Sequence, residues 1–203
     1  GRLFMAPGGQ PPSVRACLVD CSKALVEGQR SEWAQTGCFD LPISDYYRMI
    51  QLKTGQLFAS AAELGGVVAD ASSQERKRLR AFGKELGLLF QVVDDLLDYF
   101  GESSVLGKEV GLDLRTRKVT LPILLLWKEL NPEERQRLLG DEPPSSLLPW
   151  VQKRMAELDV FEACRQRARL HGKRARNHLQ DLQGRDGVNF LLALVDEMER
   201  RVQ

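Results

Sequence analysis

The chain has 203 residues, a formal net charge of +1, and 43% hydrophobic and 28% charged residues. This composition is ordinary for a globular domain, and the balanced charge excludes a global field that attracts nucleic acid or an anionic membrane. We therefore expect no nucleic-acid partner and an anion site built locally from a few lysines and arginines. No apolar run in the sequence has the length of a membrane span, because ILLLW is followed at once by Lys128 and Glu129.

The four cysteines are unpromising as metal ligands. They form no CxxC pair and only two histidines accompany them, so a zinc site is not expected. Cys17 and Cys21 are four residues apart and are best interpreted as small apolar packing residues on a helix. The remaining cysteines are Cys38 and Cys164. This cysteine usage is typical of a reducing compartment, and we predict a cytoplasmic location.

Helical periodicity dominates the first half of the chain. A first helix is predicted over about 12–36, beginning at a pair of prolines. Ser44 is the expected N-cap of a second long helix. Ser72 and Glu75 have the spacing of a capping box ahead of a third helix that reaches Phe100.

The second half continues in the same way. Thr120 is expected to cap a short apolar helix, and Asn131 precedes a proline and two glutamates at a further helix start. Helices are also predicted near 147–158 and 159–182 and after Gly187. Because no alternating strand pattern appears, we predict an all-α fold, an antiparallel helix bundle around a central apolar cavity.

The third helix carries an unusual stripe of small and polar residues: Gly83, Gly87, Gln91, Asp94 and Asp98. Glycine inside a helix costs about 1 kcal/mol relative to alanine, so a packing or functional reason is expected. The stripe is separate from the apolar face of the same helix. It is predicted to meet a close neighbour or a polar cavity.

Asp94 and Asp98 are separated by one helical turn, so their carboxylates can converge, and Asp95 lies one position around the helix. Like charges at this spacing repel, which favours a bound cation. Oxygen ligands suit Mg²⁺, which takes one or two carboxylates with waters and substrate phosphates. A solvated acidic patch is the alternative for an isolated DDxxD motif.

Two further segments could bind a phosphate. LGKEVGLDL supplies Lys108 between two glycines, where an ammonium beside backbone N–H groups can hold a diphosphate. On the second helix, Lys53 and Thr54 precede a glycine, although Lys53 alone is more typical of a solvated surface lysine. Together with the aspartates, these residues indicate a metal, a polyphosphate and an apolar cavity.

Four motifs in order resemble one family. They are VEGQ, LKTGQLFASAAELG, GLLFQVVDDLLDYFG and LGKEVGLDLRTRKVTLP. The chain is similar to the trans-type polyprenyl diphosphate synthases, all-α prenyltransferases of isoprenoid biosynthesis. In this resemblance, residues 1–203 form a single helical domain that corresponds to the C-terminal portion of a longer prenyltransferase domain.

The resemblance implies roles for individual residues. Asp94, Asp95 and Asp98 would hold Mg²⁺ against an allylic diphosphate, and Asp94, Lys53 and Lys108 would be catalytic. The residues expected to bind substrate are Lys53, Thr54, Phe90, Gln91, Lys108 and Lys118. The implied reaction ionises the allylic diphosphate, alkylates isopentenyl diphosphate and eliminates a proton. The family also implies a homodimer.

The sequence departs from the family pattern in two places. The family's first aspartate-rich motif, which precedes the matched region, has no counterpart, so we expect this portion alone to be inactive. A non-catalytic helical subunit of a heteromeric synthase is the alternative, and a generic helical metal-binding or scaffold protein is a third. Arg117 replaces a glycine that is frequent in the family, which leaves the conformation of that loop open.

The arginine-rich segment RQRARLHGKRAR has acidic residues nearby and no interleaved aromatic residues. It is therefore interpreted as a solvated helix face. His171 and His178 lie seven residues apart in this region and are predicted to be solvated rather than metal ligands.

Overall fold

A computed structural model of the chain describes residues 12–101, 110–182, 184 and 187–202. Over these residues the chain forms helices joined by turns, with no strand. The α-helices are α1 (Pro12–Gln35), α2 (Ile43–Ile50), α3 (Gln56–Val68), α4 (Ser73–Phe100), α5 (Leu112–Arg115), α6 (Leu121–Glu129), α7 (Pro132–Leu139), α8 (Pro144–Glu157), α9 (Val160–Leu179) and α10 (Val188–Arg200). A π-helix, Gln51–Gly55, joins α2 to α3, and a 3₁₀-helix, Gln180–Leu182, follows α9. The predicted all-α class is confirmed.

The two strongest helix-start signals form as predicted. At the start of α4, the Glu75 backbone N–H donates to Ser72 Oγ at 3.3 Å, and the Ser72 N–H donates to Glu75 Oε2 at 2.8 Å. The same reciprocal pair links Asn131 and Glu134 at the start of α7. These capping boxes satisfy N–H groups that have no partner within the helix, and they fix where each helix begins.

Two other predicted caps are wrong. The second helix begins after Pro42, whose φ of −59° suits an N-cap position, and Ser44 lies within the first turn. Thr120 occupies the N-cap position of α6 but makes no side-chain cap. Thr120 is fully buried, and its hydroxyl lies 3.3 Å from the hydroxyl of Tyr99, which needs a partner in the core.

Helix α4 is the centre of the bundle. It packs against α3 on one side and α9 on the other, and it also contacts α2, the π-helix, α5, α6, α8 and α10. Its apolar face is completely enclosed, with no exposed surface on Leu89, Val92, Val93 or Leu96. Neither α4 nor any other described helix is long and apolar enough to cross a membrane.

The glycine stripe of α4 allows a close helix contact. A Cβ atom on Gly83 would lie 2.3 Å from the carbonyl oxygen of Phe58, and one on Gly87 would lie 2.9 Å from the Cα of Gly55. Both distances are shorter than any tolerable carbon contact. The stripe therefore presses α4 against α3 and the π-helix, the close neighbour that the sequence predicted, and brings Gln91 of the stripe beside Thr54.

A cavity of about 710 Å³ lies between the end of α3, the start of α4 and the C-terminal helix α10. Small and apolar residues dominate its lining, among them Ala62, Gly66, Leu79, Val188 and Leu191. This cavity is at the N-terminal end of α4, whereas the aspartates occupy the C-terminal end. It is therefore a feature separate from the candidate site.

Candidate active site

Lys53 lies where α1 crosses the π-helix. A Cβ atom on Gly28 would lie only 2.5 Å from the backbone nitrogen of Lys53, so the crossing requires glycine. This close approach brings α1 to the lysine, whose Nζ donates to Glu32 Oε2 at 2.6 Å. Lys53 is only partly exposed, and its ammonium is held at the junction of the two helices.

Thr54 contacts the opposite neighbour. Its hydroxyl donates to Gln91 Oε1 at 2.8 Å, and the Gln91 amide donates to Asp95 Oδ1 at 2.9 Å. Consecutive residues of the π-helix thus connect it to α1 and to α4. Isolated π segments within helices occur frequently at functional sites. The structure therefore joins Thr54 to Gln91, whereas the neighbouring Lys53 contacts Glu32 of α1.

Asp95 is a buried carboxylate that accepts hydrogen bonds from other side chains of the protein. It is 1% exposed and accepts a hydrogen bond from the Tyr46 hydroxyl at 2.8 Å, besides the one from Gln91. Burial raises its pKa to about 6, even though Lys118, with Nζ at 3.7 Å, acts in the opposite direction. The oxygens of Asp95 thus organise the residues around it.

Lys118 enters the same cluster from the segment after α5. Its Nζ lies 3.1 Å from Asp113 Oδ2 and 3.7 Å from Asp95 Oδ1. Burial by itself lowers the pKa of Lys118, but the charges of Asp95, Asp113 and Glu32 raise it above its usual range. Glu32 therefore acts on both lysines, and the two cations share one neighbourhood.

Asp98 joins the end of α4 to α5. It is 2% exposed, and its Oδ2 accepts a hydrogen bond from the Asp113 N–H at 2.9 Å. The Asp98 carbonyl accepts a second one from the N–H of Gly111 at 2.7 Å, and Gly111 has a φ of 83°, which favours glycine. Asp98 thereby fixes the segment that carries Asp113 and Lys118.

Asp94 is the member of the motif that reaches the surface. It is partly exposed, whereas Asp95 and Asp98 are buried. Phe90, one turn earlier on α4, packs its ring 5.4 Å from that of Phe58 and so supports the contact between α3 and α4. The predicted diphosphate ligand Lys108 lies outside the described residues.

The arrangement fits a metal ion that a substrate helps to hold. Asp95 and Asp98 are buried and Asp94 is partly exposed, so Asp94 is the most accessible carboxylate of the motif. The part of the chain that the structure describes contains no group of three or more histidine, cysteine, aspartate or glutamate residues that could hold a metal ion. Mg²⁺ typically needs only one or two carboxylates when phosphates and waters complete its shell. The roles of Asp94, Asp95 and Asp98 as metal ligands stay predictions.

Sequence reasoning missed three residues of the cluster: Glu32, Tyr46 and Asp113. Glu32 lies one turn after the quoted VEGQ motif, and Gln29 Nε2 donates to its Oε2 at 2.8 Å, so this spacing was an available signal. Asp113 belongs to the motif LGKEVGLDLRTRKVTLP, but the sequence does not indicate that it contacts Lys118. Tyr46 carries no local signal, because its contact with Asp95 depends entirely on the packing of α2 against α4.

The prediction that His171 is solvated is wrong. His171 is 4% exposed on α9, and its Nδ1 lies 2.7 Å from Glu85 Oε2 on α4. Its ring centroid is 5.4 Å from that of Tyr47. The arginines around His171 in the sequence suggested a solvated face, but the histidine faces α4, where a carboxylate satisfies it. His178, two turns later, is partly exposed.

Sequence comparison identifies the family. The family model described as polyprenyl synthetase matches residues 5–143. The chain is 30% identical over 185 residues to a geranylfarnesyl diphosphate synthase of Aeropyrum pernix, covering 89% of this chain and 58% of the relative. It is 35% identical over 168 residues to an octaprenyl diphosphate synthase of Escherichia coli K12, covering 81% and 52% respectively. The chain thus spans little more than half the length of these curated relatives.

Solved structures agree in fold. A decaprenyl diphosphate synthase from Rhodobacter capsulatus superimposes with a TM-score of 0.87 at 30% identity, covering 95% of this chain and 61% of that one. A polyprenyl synthase from Caulobacter crescentus, complexed with calcium and isoprenyl diphosphate, gives 0.88 at 29% identity, covering 95% and 60%. With the four motifs in order and the family match over most of its length, the chain belongs to the polyprenyl synthetase family.

Proposed function

We propose that this protein transfers an allylic prenyl group to isopentenyl diphosphate and releases diphosphate. The observation that carries the proposal is a cluster in which Lys118 lies beside Asp95 of the aspartate motif and shares the neighbour Glu32 with Lys53. The two lysines come from elements far apart in sequence, yet Glu32 acts on both. Two cations next to carboxylates form a site for a metal–diphosphate pair.

The lysines are suited to bind the diphosphate as charge builds on it. When the C–O bond of the allylic substrate breaks, negative charge increases on the departing diphosphate, and fixed cations stabilise that charge. The carboxylates around Lys118 keep it protonated, and those neighbours hold its ammonium in place. Lys53 is held by Glu32 and has to exchange that contact for the substrate. Lys108 is proposed as a third cation, on the evidence of the motif alone.

The metal is proposed to be Mg²⁺, with Asp94 as its most accessible protein ligand. When bound, Mg²⁺ neutralises diphosphate charge and so assists its departure. Asp98 accepts a hydrogen bond from α5 and so positions that helix. Asp95 contacts Gln91, Tyr46 and Lys118 and so positions these three side chains. Phe90, Thr54 and Gln91 are proposed to line the adjacent wall. No side-chain nucleophile is required, because the reaction proceeds by ionisation, addition and loss of a proton.

Two further properties are proposed from the family resemblance: a homodimer and a cytoplasmic location. The face of α1 offers exposed apolar residues at heptad spacing, Val19, Val26 and Trp33. Such a stripe suits a helix contact. Sedimentation of the purified protein tests the homodimer.

The test of the proposed function separates binding from turnover. Calorimetry measures the affinity for farnesyl diphosphate, with and without Mg²⁺, of the 203-residue chain and of the protein purified from its source. Incorporation of labelled isopentenyl diphosphate is then assayed for that chain and, in parallel, for the protein purified from its source. We expect Mg²⁺-dependent binding to the chain, which Asp94→Asn weakens, and Mg²⁺-dependent elongation by the protein from its source.

The outcomes distinguish an active enzyme from a non-catalytic subunit. Binding without elongation in both preparations would favour the non-catalytic subunit over the enzyme. Absence of Mg²⁺-dependent binding in both preparations would overturn the proposed site itself. The matched control is Glu129→Gln, an exposed carboxylate at the end of α6, which should leave binding and elongation unchanged.

A further inference from the structure

Arg117 has a backbone conformation that arginine rarely adopts. Its φ is 53°, in the left-handed region that favours glycine. Arg117 is the residue directly before Lys118. The conformation at this position therefore determines the direction in which Lys118 leaves the turn.

The turn is a complete Schellman motif at the end of α5. The N–H of Arg117 donates to the carbonyl of Leu114 at 3.0 Å, and the N–H of Lys118 donates to the carbonyl of Asp113 at 2.9 Å. This pattern requires a left-handed residue at the position that Arg117 occupies. The carbonyl of Arg117 also accepts a hydrogen bond from the N–H of Gly37 at 2.8 Å, which ties the turn to the segment after α1.

The Arg117 side chain offsets the unfavourable backbone. Its Nη2 donates to the carbonyls of Leu139 and Gly140, at 3.1 and 3.0 Å, where α7 ends. Its guanidinium also lies 3.6 Å from the carboxylate of Asp141. A guanidinium at a helix C-terminus satisfies carbonyls that have no partner within the helix and interacts favourably with the helix dipole. These contacts fasten the turn to α7.

We propose that Arg117 is a positioning residue, whose guanidinium clamps the left-handed turn to α7 so that the Lys118 ammonium faces Asp95 and Asp113. Without the clamp, a non-glycine side chain at position 117 retains the unfavourable conformation, and only the backbone hydrogen bonds of the turn and of Gly37 hold it. The turn then relaxes, and Lys118 moves out of the cluster. The functional part of this inference rests on the proposed role of Lys118 in binding diphosphate.

The test compares Arg117→Ala with Arg117→Gly. Alanine loses the clamp and keeps the unfavourable φ, whereas glycine loses the clamp but adopts the turn freely. The first readout is the rate at which an amine-reactive reagent labels Lys118, measured by mass spectrometry relative to the exposed Lys128. The second is the affinity for inorganic diphosphate with Mg²⁺.

We expect Arg117→Ala to label Lys118 several-fold faster and to bind diphosphate several-fold more weakly. Arg117→Gly should retain the original labelling rate and affinity. Lys173→Ala removes an exposed positive charge on α9, away from the turn, so Lys118 labelling should not change. Arg117→Lys, which keeps a charge on a shorter side chain without the planar guanidinium, should give intermediate labelling and serves if the alanine variant does not fold.

Unchanged labelling in both Arg117→Ala and Arg117→Lys, with only a lower melting temperature, would reduce Arg117 to a stabilising residue and overturn the inference. Equal exposure of Lys118 in the alanine and glycine variants would also overturn it, because the left-handed turn would then not be the cause. If the original protein binds no diphosphate, the proposed function fails, while the labelling rates still judge the clamp.

Discussion

Helix α4 carries two polar clusters, one around Asp95 and one around Glu85, ten residues apart in the chain. The pKa values of these two carboxylates shift in opposite directions. At one end, burial raises the pKa of Asp95 to about 6, despite Lys118 nearby. Toward the middle, burial also acts to raise the pKa of Glu85, but the hydrogen bond and charge of His171, aided by Arg174 and Lys84, bring it below its usual value. The same helix therefore carries one carboxylate whose charged form is destabilised and one whose charged form is stabilised.

The difference lies in how each cluster is partnered. Glu85 and His171 are in direct contact at 2.7 Å and form a closed pair between α4 and α9. Asp95 has a cation only at 3.7 Å, and its nearest partners, Tyr46 and Gln91, are neutral. The Asp95 cluster extends outward through Lys118 toward Lys53. One cluster thus joins two helices, and the other organises groups that can meet a ligand.

The variant with the largest expected effect tests whether catalysis depends on the end of α4 that carries Asp94 and Asp95. Introduced into the protein as its source makes it, Asp94→Ala should reduce elongation by about 10²–10³-fold, because a ligand that stabilises developing charge is lost. The helical circular dichroism signal should barely change, since Asp94 is partly exposed. Steady-state assays at saturating Mg²⁺ provide the measurement, and full activity would remove Asp94 from the metal site.

The second prediction follows from the opposite pKa shifts of Asp95 and Glu85. The folded protein holds a proton on Asp95 between about pH 4 and 6, where the unfolded chain does not, so this residue lowers stability as pH rises through that window. Relative to Asp95→Asn, the original protein should lose up to about 3 kcal/mol of unfolding free energy between pH 4 and 7. Urea unfolding at several pH values measures the difference.

Glu85→Gln is the matched comparison and should give the opposite sign. Because the folded pKa of Glu85 is lowered from 4.5, its contribution is present above that pH and is lost as the pH falls below it. Urea unfolding over the same pH series covers both variants. If the unfolding free energies of the two variants, each taken relative to the original protein, changed with pH in the same direction, the opposite pKa shifts of Asp95 and Glu85 would be contradicted.

A third, smaller effect concerns affinity. Lys118→Ala should weaken binding of an allylic diphosphate by about 10–100-fold, the range for losing one charge-assisted hydrogen bond. Lys173→Ala, an exposed lysine on α9, is the control and should bind normally. Calorimetric titration decides between them, and equal affinity in both variants would exclude Lys118 from the diphosphate site.

The smallest effect should appear at the closed pair. His171→Ala leaves a mostly buried carboxylate without its partner and should lower the unfolding free energy by about 1–3 kcal/mol. Diphosphate affinity should stay within experimental error, because Glu85 and His171 contact each other rather than the site. A clear loss of affinity would contradict the division of α4 into a structural and a functional cluster.

The predictability of each element follows the range of its interactions. The capping boxes at Ser72 and Asn131 could be predicted because each depends on residues three apart in the chain. Ser44 is a plausible cap of the same kind, but the helix begins at Ile43, directly after Pro42, and so places Ser44 in its first turn. His171 could not be assigned, since its solvation depends on whether α9 turns it toward α4.

The sequence by itself determined the helical class and the family, since these follow from helical periodicity and from motifs that are local in the chain. The assignment of its aspartates and lysines to a diphosphate site stays a prediction, and Glu32, Tyr46 and Asp113 joined the cluster only in the folded structure. Only the tertiary structure decided what each carboxylate does. Asp94 and Asp95 are adjacent on one helix, but the 100° step between them exposes the first and buries the second. Burial and the distance to a cation set the free energy of a charge, and both depend on how helices pack.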